Sequence, residues 1–215
     1  MLNRLNIFYK KKILIYGLGK SGLSVLKFLK KNNEIITHDD KINDDIKEIK
    51  KIKFDYIIIS PGIDIDKCKL SKFLKNNLKK IYTDLDIFYS QYKKNSKITI
   101  TGTNGKSTTA KILYDVLKDQ KVDARLVGNI GNPILLEKKV TKRTVFVIEA
   151  SSYQLEYSKI FKSNISLILN ISPDHLERHK TINKYISAKF RLIFYKFKFC
   201  IYISIYSLMS FKMVW

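Results

Sequence analysis

The hydrophobic positions in the first third of the chain alternate between short apolar runs and a helical stripe. Residues 12–17, 34–37 and 55–60 form runs of the length and character of strands buried on both faces of a parallel sheet. Between the first two runs, residues 21–29 carry apolar side chains at helical spacing. Alternating strands and helices predict a doubly wound α/β domain with ligands at the carboxyl ends of its strands.

A second unit begins after the polar stretch 91–97. It contains three apolar strand candidates divided by helical or turn segments, at residues 97–101, 144–150 and 165–171. We therefore predict a first domain over residues 1–93 and a second α/β domain over residues 97–194.

The C-terminal tail follows a different pattern. No acidic residue occurs after Glu177, and residues 195–215 are aromatic and apolar without a helical period, caps or turn signals. The uncharged run 199–211 is shorter than the roughly 18 to 20 residues that a membrane-spanning helix needs. We expect this tail to stand outside the fold, as out-of-frame translation after a broken reading frame would. A membrane anchor is the less favoured alternative.

The net charge of +22 would by itself suggest a nucleic-acid partner. However, 36 of the 41 basic residues are lysines spread along the chain, whereas base readout favours arginine. AT-rich codons explain such an excess, so we predict neither a nucleic-acid nor a membrane partner. Cys68 and Cys200 share no metal or redox spacing, and the N-terminus lacks a signal-peptide pattern. These features predict a cytoplasmic protein.

A first glycine-rich segment lies between the first predicted strand and the first helix. Residues 17–22 read GLGKSG and match G-x-G-x-x-G, in which glycines allow a tight turn and the approach of a phosphate to a helix N-terminus. Asp39 or Asp40 would then serve a ribose, as in a dinucleotide site. The motif alone is weak, because a glycine turn can also serve only helix–strand packing.

A second glycine-rich segment is the stronger signal. Residues 101–109 read TGTNGKSTT, between a strand and a helix predicted over residues 110–117. Backbone amides in such a loop cradle phosphates, Lys106 can reach the terminal phosphoryl group, and the Ser107 hydroxyl can bind Mg²⁺. The generic P-loop requires a glycine where this chain has Ile100, so the fitting pattern is G-T-N-G-K-[ST].

Four further motifs follow in order: SPGI at 60–63, GNIG at 128–131, EASSYQLE at 149–156 and NISPDHLERH at 170–179. Together with GTNGKST they resemble the Mur ligase family, and within it the members that add D-glutamate, whose usual signature is SSFQLE. The resemblance covers residues 12 to about 194. It implies an α/β fold in which a Rossmann-like parallel-sheet domain is followed by an incomplete P-loop-type central ATPase domain.

The resemblance also implies a reaction. In this family's D-glutamate-adding members, ATP phosphorylates the carboxylate of UDP-N-acetylmuramoyl-L-alanine, and the amine of D-glutamate displaces phosphate from the acyl-phosphate to form an amide. ADP and phosphate are released, and the product serves peptidoglycan synthesis. Such chemistry depends on charge neutralisation more than on covalent catalysis. The implied enzyme is a cytoplasmic monomer.

Site residues follow from the same resemblance. The ATP loop comprises Gly102, Thr103, Asn104, Gly105, Lys106, Ser107 and Thr108. The ligands of two Mg²⁺ ions are Ser107, Glu149, His175 and, as a carbamate formed with CO₂, Lys189, and the catalytic set is Lys106, Glu149, His175 and Lys189. The substrate-binding residues are Ser21, Asp39 and Asp40 near the uridine, Ser60 and Pro61 near the diphosphate, and Asn129, Ser151 and Gln154 along the sugar and peptide. Lys20 and Asp40 depart from the family's usual residues, which leaves the uridine contacts open.

Members of the family are longer and have a third domain that closes over ATP. We expect the present chain to lack that C-terminal ligase domain and to be inactive alone. A sibling ligase or folylpolyglutamate synthetase, and a nicotinamide-dependent oxidoreductase, are alternatives that SSYQLE and GTNGKST disfavour. A non-catalytic nucleotide-binding remnant or pseudogene product stays open.

Overall fold

The computed structural model describes residues 6–42 and 46–193 together with the backbone of 199–202. Within these residues the chain forms two parallel β-sheets, one after the other, with helices between the strands. This is the predicted α/β class. No helix among the described residues combines the length and the apolar character needed to cross a membrane.

The first sheet has four parallel strands in the order β2-β1-β3-β4. The strands are β1 (Lys12–Tyr16), β2 (Glu34–His38), β3 (Tyr56–Ile59) and β4 (Ile81–Tyr82). The helices are α1 (Lys20–Leu29), α2 (Ile46–Lys51) and α3 (Ser71–Asn76), followed by a 3-10 turn at Leu78–Lys80. Central β1 is buried on both faces from Ile13 to Tyr16, which explains its continuous apolar run.

The second sheet has five parallel strands in the order β6-β7-β5-β8-β9. The strands are β5 (Ser96–Thr101), β6 (Ala124–Gly128), β7 (Val145–Glu149), β8 (Ile165–Ile168) and β9 (Phe199–Tyr202). Helix α4 (Asp84–Gln91) follows the first sheet in the chain and precedes the second. The later helices are α5 (Lys106–Asp119), α6 (Ser152–Glu156), α7 (Leu176–His179) and α8 (Ile182–Phe190). All strands that the apolar runs predicted are present, with ends shifted by a few residues.

The prediction that residues 195–215 stand outside the fold differs from the structure at one point. The backbone of β9 pairs in parallel with β8, so that Ile165 lies opposite Phe199 and Ile168 opposite Tyr202. Aromatic and β-branched residues favour a pleated backbone, and β8 would otherwise leave an unpaired edge. These four residues extend the sheet, while the rest of the tail lies outside the described residues.

Helix α4 connects the two sheets through a shared core. Its residues Leu85, Ile87 and Phe88 are completely buried. The ring of Phe88 contacts that of Phe146 in β7 edge to face, with centroids 4.8 Å apart. The polar start of α4 is stabilised by a capping box between Thr83 and Asp86. This helix therefore sets the position of the second sheet relative to the first.

Candidate functional site

The loop between β5 and α5 has the backbone conformation that its glycines allow. Gly105 precedes α5 with φ of +79°, and Gly102 has φ of +152°. A Cβ at Gly102 would lie 3.2 Å from the Cβ of Leu169, whereas one at Gly105 would meet only the Leu169 side chain, at 3.6 Å. The first N–H groups of α5 have no acceptor within the helix, so they are available to an anion in the open part of the loop.

Asn170, just beyond β8, holds the front of this loop. Its side-chain oxygen accepts from the N–H of Thr103 at 3.2 Å and of Asn104 at 2.9 Å. Its amide nitrogen donates to the carbonyl of Asn104 at 3.1 Å. The amides of Thr103 and Asn104, both in the predicted ATP loop, are therefore engaged by the protein. The groups left for a phosphate are those around Gly105 and Lys106.

Glu149, at the end of β7, joins the ATP loop to a second loop. Its Oε2 accepts from the hydroxyl of Ser107 at 2.8 Å, and its Oε1 accepts from the amide of Asn129 at 2.8 Å. The carboxylate is almost completely buried. No lysine or arginine in the described part of the chain forms an ion pair with it, although buried carboxylates usually have a positive partner.

The oxygens of Ser107 and Glu149 fit a bound Mg²⁺. Both are hard ligands, and Mg²⁺ is commonly held by one or two protein oxygens together with waters and substrate phosphates. No group of three or more His, Cys, Asp or Glu side chains suited to a metal occurs among residues 6–42 and 46–193. The Ser107 hydroxyl and the Glu149 carboxylate are the two candidate oxygens that the structure brings together.

Lys189 in α8 lies beneath the ATP loop. Its Nζ donates to the carbonyl of Gly102 at 2.7 Å and sits 4.4 Å from the ring centroid of Tyr185. The side chain is 1% exposed. Burial, and secondarily the charge of Lys106, lower the pKa of Lys189 to about 7. A substantial fraction of this amine is thus uncharged and nucleophilic at neutral pH.

His175 is placed differently from the other predicted metal ligands. It precedes α7 with φ of +53°, its side chain is about half exposed, and its ring lies 4.9 Å from that of Tyr153. The structure records no hydrogen bond or ion pair between His175 and Glu149 or Lys189, all of which it describes. Ser107 and Glu149 are therefore brought together, while the roles of His175 and Lys189 as ligands stay predictions.

The carboxyl ends of the two sheets enclose a cleft of about 790 Å³. Seven of the eight predicted substrate-binding residues line it: Ser21, Asp39, Asp40, Ser60, Pro61, Asn129 and Gln154. The eighth, Ser151, begins α6, where its hydroxyl accepts from the N–H of Gln154 at 3.2 Å. Lys20 and Lys41 also line the cleft and add positive charge beside the aspartates.

Both aspartates near the predicted uridine end have protein partners. Asp39 accepts from the N–H of Leu18 at 2.7 Å and of Lys41 at 3.0 Å, and these bonds lower the pKa of its carboxyl. Asp40 accepts from the hydroxyl of Tyr16 at 2.5 Å. Asp39 therefore stabilises the GLGKSG loop, and the contacts of Asp39 and Asp40 with a ribose or uridine stay predictions.

Two residues at the site escaped prediction from the sequence. Asn170 was noted only as part of a motif. Asp84, the first residue of α4, lines the cleft and is 5% exposed. Burial raises the pKa of Asp84 to about 6, although hydrogen bonds from Leu85 N–H and from the side chains of Ser21 and Gln154 oppose the shift. Its sequence signal, a helix-start pattern, reveals nothing about the cleft.

Comparisons with known proteins agree on one group. Residues 100–205 match the Mur ligase middle domain family. UDP-N-acetylmuramoylalanine–D-glutamate ligase of Rickettsia bellii (strain RML369-C) is 36% identical over 202 residues, which cover 87% of this chain and 44% of that protein. The enzyme of the same name in Clostridioides difficile (strain 630) is 38% identical, with 83% and 44% covered. The chain spans less than half the length of these curated relatives.

Two solved structures have a similar fold. UDP-N-acetylmuramate-alanine ligase from Thermotoga maritima gives a TM-score of 0.51 at 21% identity, covering 89% of this chain and 49% of that chain. UDP-N-acetylmuramate:L-alanyl-gamma-D-glutamyl-meso-diaminopimelate ligase from Neisseria meningitides gives 0.52 at 14% identity, covering 86% and 68%. At such identities the likeness concerns the fold alone, and it confirms the predicted α/β class.

Proposed function

We propose that this chain, which belongs to the Mur ligase family, serves peptidoglycan synthesis as part of the ATP-dependent ligase that joins D-glutamate to UDP-N-acetylmuramoyl-L-alanine. The ligase acts as a monomer in the cytoplasm. Because the relatives are more than twice as long, the complete reaction is proposed for the whole ligase, and the binding of ATP and of the UDP-linked substrate is proposed for these residues.

One observation carries the proposal. Asn129 lines the cleft between the sheets and donates to Glu149, whose other oxygen accepts from Ser107 in the ATP loop. A substrate lying in the cleft therefore ends beside the group that faces the ATP phosphates. Transfer of a phosphoryl group to a carboxylate requires this proximity of two otherwise separate sites.

The residues of the ATP loop have distinct roles in this scheme. The free amides at the start of α5 bind the phosphate oxygens, and the Lys106 ammonium, which now donates to the carbonyl of Thr103 at 2.7 Å, swings to the terminal phosphoryl group. Ser107 and Glu149 would hold Mg²⁺ through their side-chain oxygens. When bound, this ion supplies positive charge against the phosphate oxygens and the developing acyl-phosphate.

Lys189 is proposed to carry a carbamate. Its uncharged amine attacks the carbon of CO₂, an N–C bond forms while one C=O π bond breaks and leaves its electron pair on oxygen, and the amine proton leaves to water. The modification places an anion beside the Lys106 ammonium, which attracts it, whereas the protonated amine of Lys189 is repelled there. Together with His175, the new oxygens would serve a second Mg²⁺.

Equilibrium binding tests the proposal. Titration calorimetry on the 215-residue chain should detect UDP-N-acetylmuramoyl-L-alanine, and UDP-N-acetylmuramate without the alanine should bind about tenfold more weakly. A non-hydrolysable ATP analogue should bind in a Mg²⁺-dependent manner. Glu149→Gln should abolish the Mg²⁺ dependence of binding. The control Asp119→Asn changes an exposed carboxylate at the end of α5 and should preserve this dependence.

A contrary result would be equally informative. Equal binding of the two UDP compounds would remove the D-glutamate-adding assignment and favour a sibling ligase. In the whole ligase, release of ADP that did not require D-glutamate would contradict the proposed reaction.

A further inference from the structure

A second cavity, of about 280 Å³, lies against helices α7 and α8, and we call it the α7–α8 pocket. Six charged side chains line it: Asp66, Glu156, Arg178, Lys180, Lys184 and Arg191. It shares no lining residue with the cleft between the sheets, and it includes none of the residues predicted for the ATP loop or the metal ions. The proposed function therefore gives this pocket no role.

Both carboxylates of the pocket already have cationic partners. Asp66 forms an ion pair with the Nζ of Lys75 at 2.8 Å. The Oε2 of Glu156 accepts from the Nε and the Nη2 of Arg178, at 3.0 and 2.9 Å. Within the described part of the chain, no carboxylate forms an ion pair with the other three basic residues of the pocket. The pocket therefore carries an excess of positive charge.

Arg178 is a buried cation with donors that the protein does not use. Its side chain is 8% exposed, and its guanidinium carbon lies 5.4 Å from the ring centroid of Tyr153 and 6.0 Å from that of Tyr157. A guanidinium has five N–H donors, and Glu156 accepts from two of them. Among the residues that the structure describes, no acceptor is recorded for the Nη1 of Arg178. Because a buried donor without an acceptor is costly, this group favours an anionic ligand in the pocket.

Helix α8 presents two further cations at helical spacing. Lys184, Ser187, Ala188 and Arg191 follow each other at i, i+3, i+4 and i+7, which places them on one side of the helix. The two small side chains in the middle of this series line the stretch of pocket between the two basic residues. The Lys184 ammonium has no recorded hydrogen bond within the described residues, whereas Arg191 donates through Nη1 to the carbonyl of Ser158 at 2.9 Å. The Nε and Nη2 groups of Arg191 are left for a ligand.

We propose that the α7–α8 pocket binds a phosphate group through Arg178, Lys184 and Arg191. Planar guanidinium groups match the spacing of phosphate oxygens, and a lysine ammonium adds a further charge-assisted donor. The volume of about 280 Å³ suits a small anion with a few waters of roughly 30 Å³ each. Binding of an anion also relieves the repulsion between these like charges. The inference goes beyond the proposed function and does not depend on it.

A phosphate titration followed by ¹H–¹⁵N NMR tests the inference on the 215-residue chain. The ionic strength is held constant with sodium chloride, so that general screening does not change. We expect saturable shifts of the backbone amides of α7 and α8, with a dissociation constant of about 1 mM. Inorganic phosphate is the first probe, and glycerol 3-phosphate is the second.

Substitutions at Lys184 separate the pocket from the general charge of the protein. Lys184 is exposed, so its replacement should leave the fold intact. Lys184→Gln should weaken phosphate binding about threefold and Lys184→Glu about tenfold, whereas Lys184→Arg should stay within about twofold of the unaltered chain. Lys118→Gln, at an exposed lysine near the end of α5, removes the same charge outside the pocket and should leave phosphate binding unchanged.

The inference is wrong if the shifts do not saturate, or if they are confined to the amides of the ATP loop. Equal weakening by Lys118→Gln and Lys184→Gln would reveal a diffuse charge effect and would also overturn it. Tighter binding of glycerol 3-phosphate than of inorganic phosphate would identify a phosphate ester as the ligand, and the reverse order would identify free phosphate. Because the pocket and the cleft share no lining residue, failure of this test leaves the proposed function standing.

Discussion

The two glycine-rich loops occupy equivalent places in two similar sheets, but their interiors differ. Each follows a central strand, β1 or β5, and leads into a helix on that sheet. The first loop is filled by the protein itself. The hydroxyl of Ser60 donates to the carbonyl of Gly17 at 2.6 Å, and the Asp39 carboxylate accepts from the N–H of Leu18.

In the second loop the first amides are bound by the protein, whereas the space at the start of α5 is open. Asn170 engages the amides of Thr103 and Asn104, whereas the space beside Gly105 contains only a distant part of Leu169. Lys106 adds a positive charge at this opening. The loop therefore keeps both the space and the charge that a phosphate needs.

The difference shows that a glycine pattern alone does not define a phosphate site. In the first loop the Asp39 carboxylate already accepts a hydrogen bond from the N–H of Leu18. A second anion at this N–H would be repelled by that carboxylate. This is the physical argument against a nicotinamide-dinucleotide site in the GLGKSG segment. Its glycines serve close packing and shape one wall of the cleft, while those of the second loop leave space at the start of α5.

The largest expected difference between the two loops is in the stability of the variants Gly22→Ala and Gly105→Ala. A Cβ at Gly22 would lie 1.8 Å from the carbonyl oxygen of Gly17, so backbone would have to move. We expect Gly22→Ala to lower the free energy of unfolding by about 3 kcal/mol or more. Gly105→Ala should cost about 1 kcal/mol, since only its positive φ is strained. Urea denaturation measures both.

Gly19→Ala is the matched control within the first loop, because nothing lies within 4 Å of a Cβ there. A Gly22→Ala protein as stable as Gly19→Ala would show that the first loop is not closely packed, and the contrast between the loops would disappear.

The side of the cleft that the second unit forms depends on the carboxylate of Asp86. Removing this carboxylate should cause the next largest loss of stability. In Asp86→Ala, the N–H groups of residues 159–161 and the capping contacts of Thr83 lose a common acceptor in a completely buried place. We expect destabilisation of about 3 kcal/mol, measured by urea denaturation. Asp86→Asn keeps one oxygen for the loop and should cost less. Equal stability of the two variants would contradict this account.

Removal of the Asn170 clamp should affect the second loop alone. Asn170→Ala frees the amide of Asn104, whereas the N–H of Thr103 keeps its bond to the backbone carbonyl of residue 170. The loop is loosened, so ATP must order it on binding. We expect the Mg²⁺-dependent affinity for an ATP analogue to fall about tenfold, which is about 1.4 kcal/mol, with unchanged affinity for the UDP-linked substrate. Calorimetry measures both. Weaker binding of the UDP compound would show that the clamp also supports the cleft.

The same contrast explains what the sequence could predict. The strands β1, β5 and β7 and the glycine-rich loop before α5 were predictable because the apolar runs and the GTNGKST motif are local in sequence. Asp84 and Asn170 were not. Asp84 lines the same cleft as Gln154, and Asn170 accepts from Thr103, each across some seventy positions of sequence, so these neighbours are defined only when the sheets are packed. Helix α4 itself was missed because its apolar residues face two sheets and its polar residues are buried, which obscures an amphipathic stripe.

The C-terminal tail shows a second limit of prediction from sequence. Composition predicted that residues 195–215 stand outside the fold, yet the backbone of 199–202, with two aromatic residues and one isoleucine, pairs with the open edge of β8. Pairing depends on the neighbouring strand, which no local pattern within the tail reveals.

The smallest effect concerns the charge of Asp84 beside the first loop. Its pKa is raised to about 6 in the folded protein, above the value near 3.9 of an unfolded chain, so the folded state binds the proton more tightly. The resulting stabilisation is present at low pH and is lost as the pH rises through about 6. Between about pH 5 and about pH 8 we expect a loss on the order of 1 kcal/mol relative to Asp84→Asn, which has no such proton.

Urea denaturation of both proteins across this pH range isolates the effect, because all other titrating groups are common to them. Asp119→Asn provides the baseline for an exposed carboxylate, whose removal should leave the pH profile parallel to that of the unaltered chain. A profile for Asp84→Asn that ran parallel as well would mean that Ser21, Gln154 and Leu85 N–H compensate the burial of the Asp84 charge completely. In that case the base of the cleft would tolerate the full negative charge of Asp84.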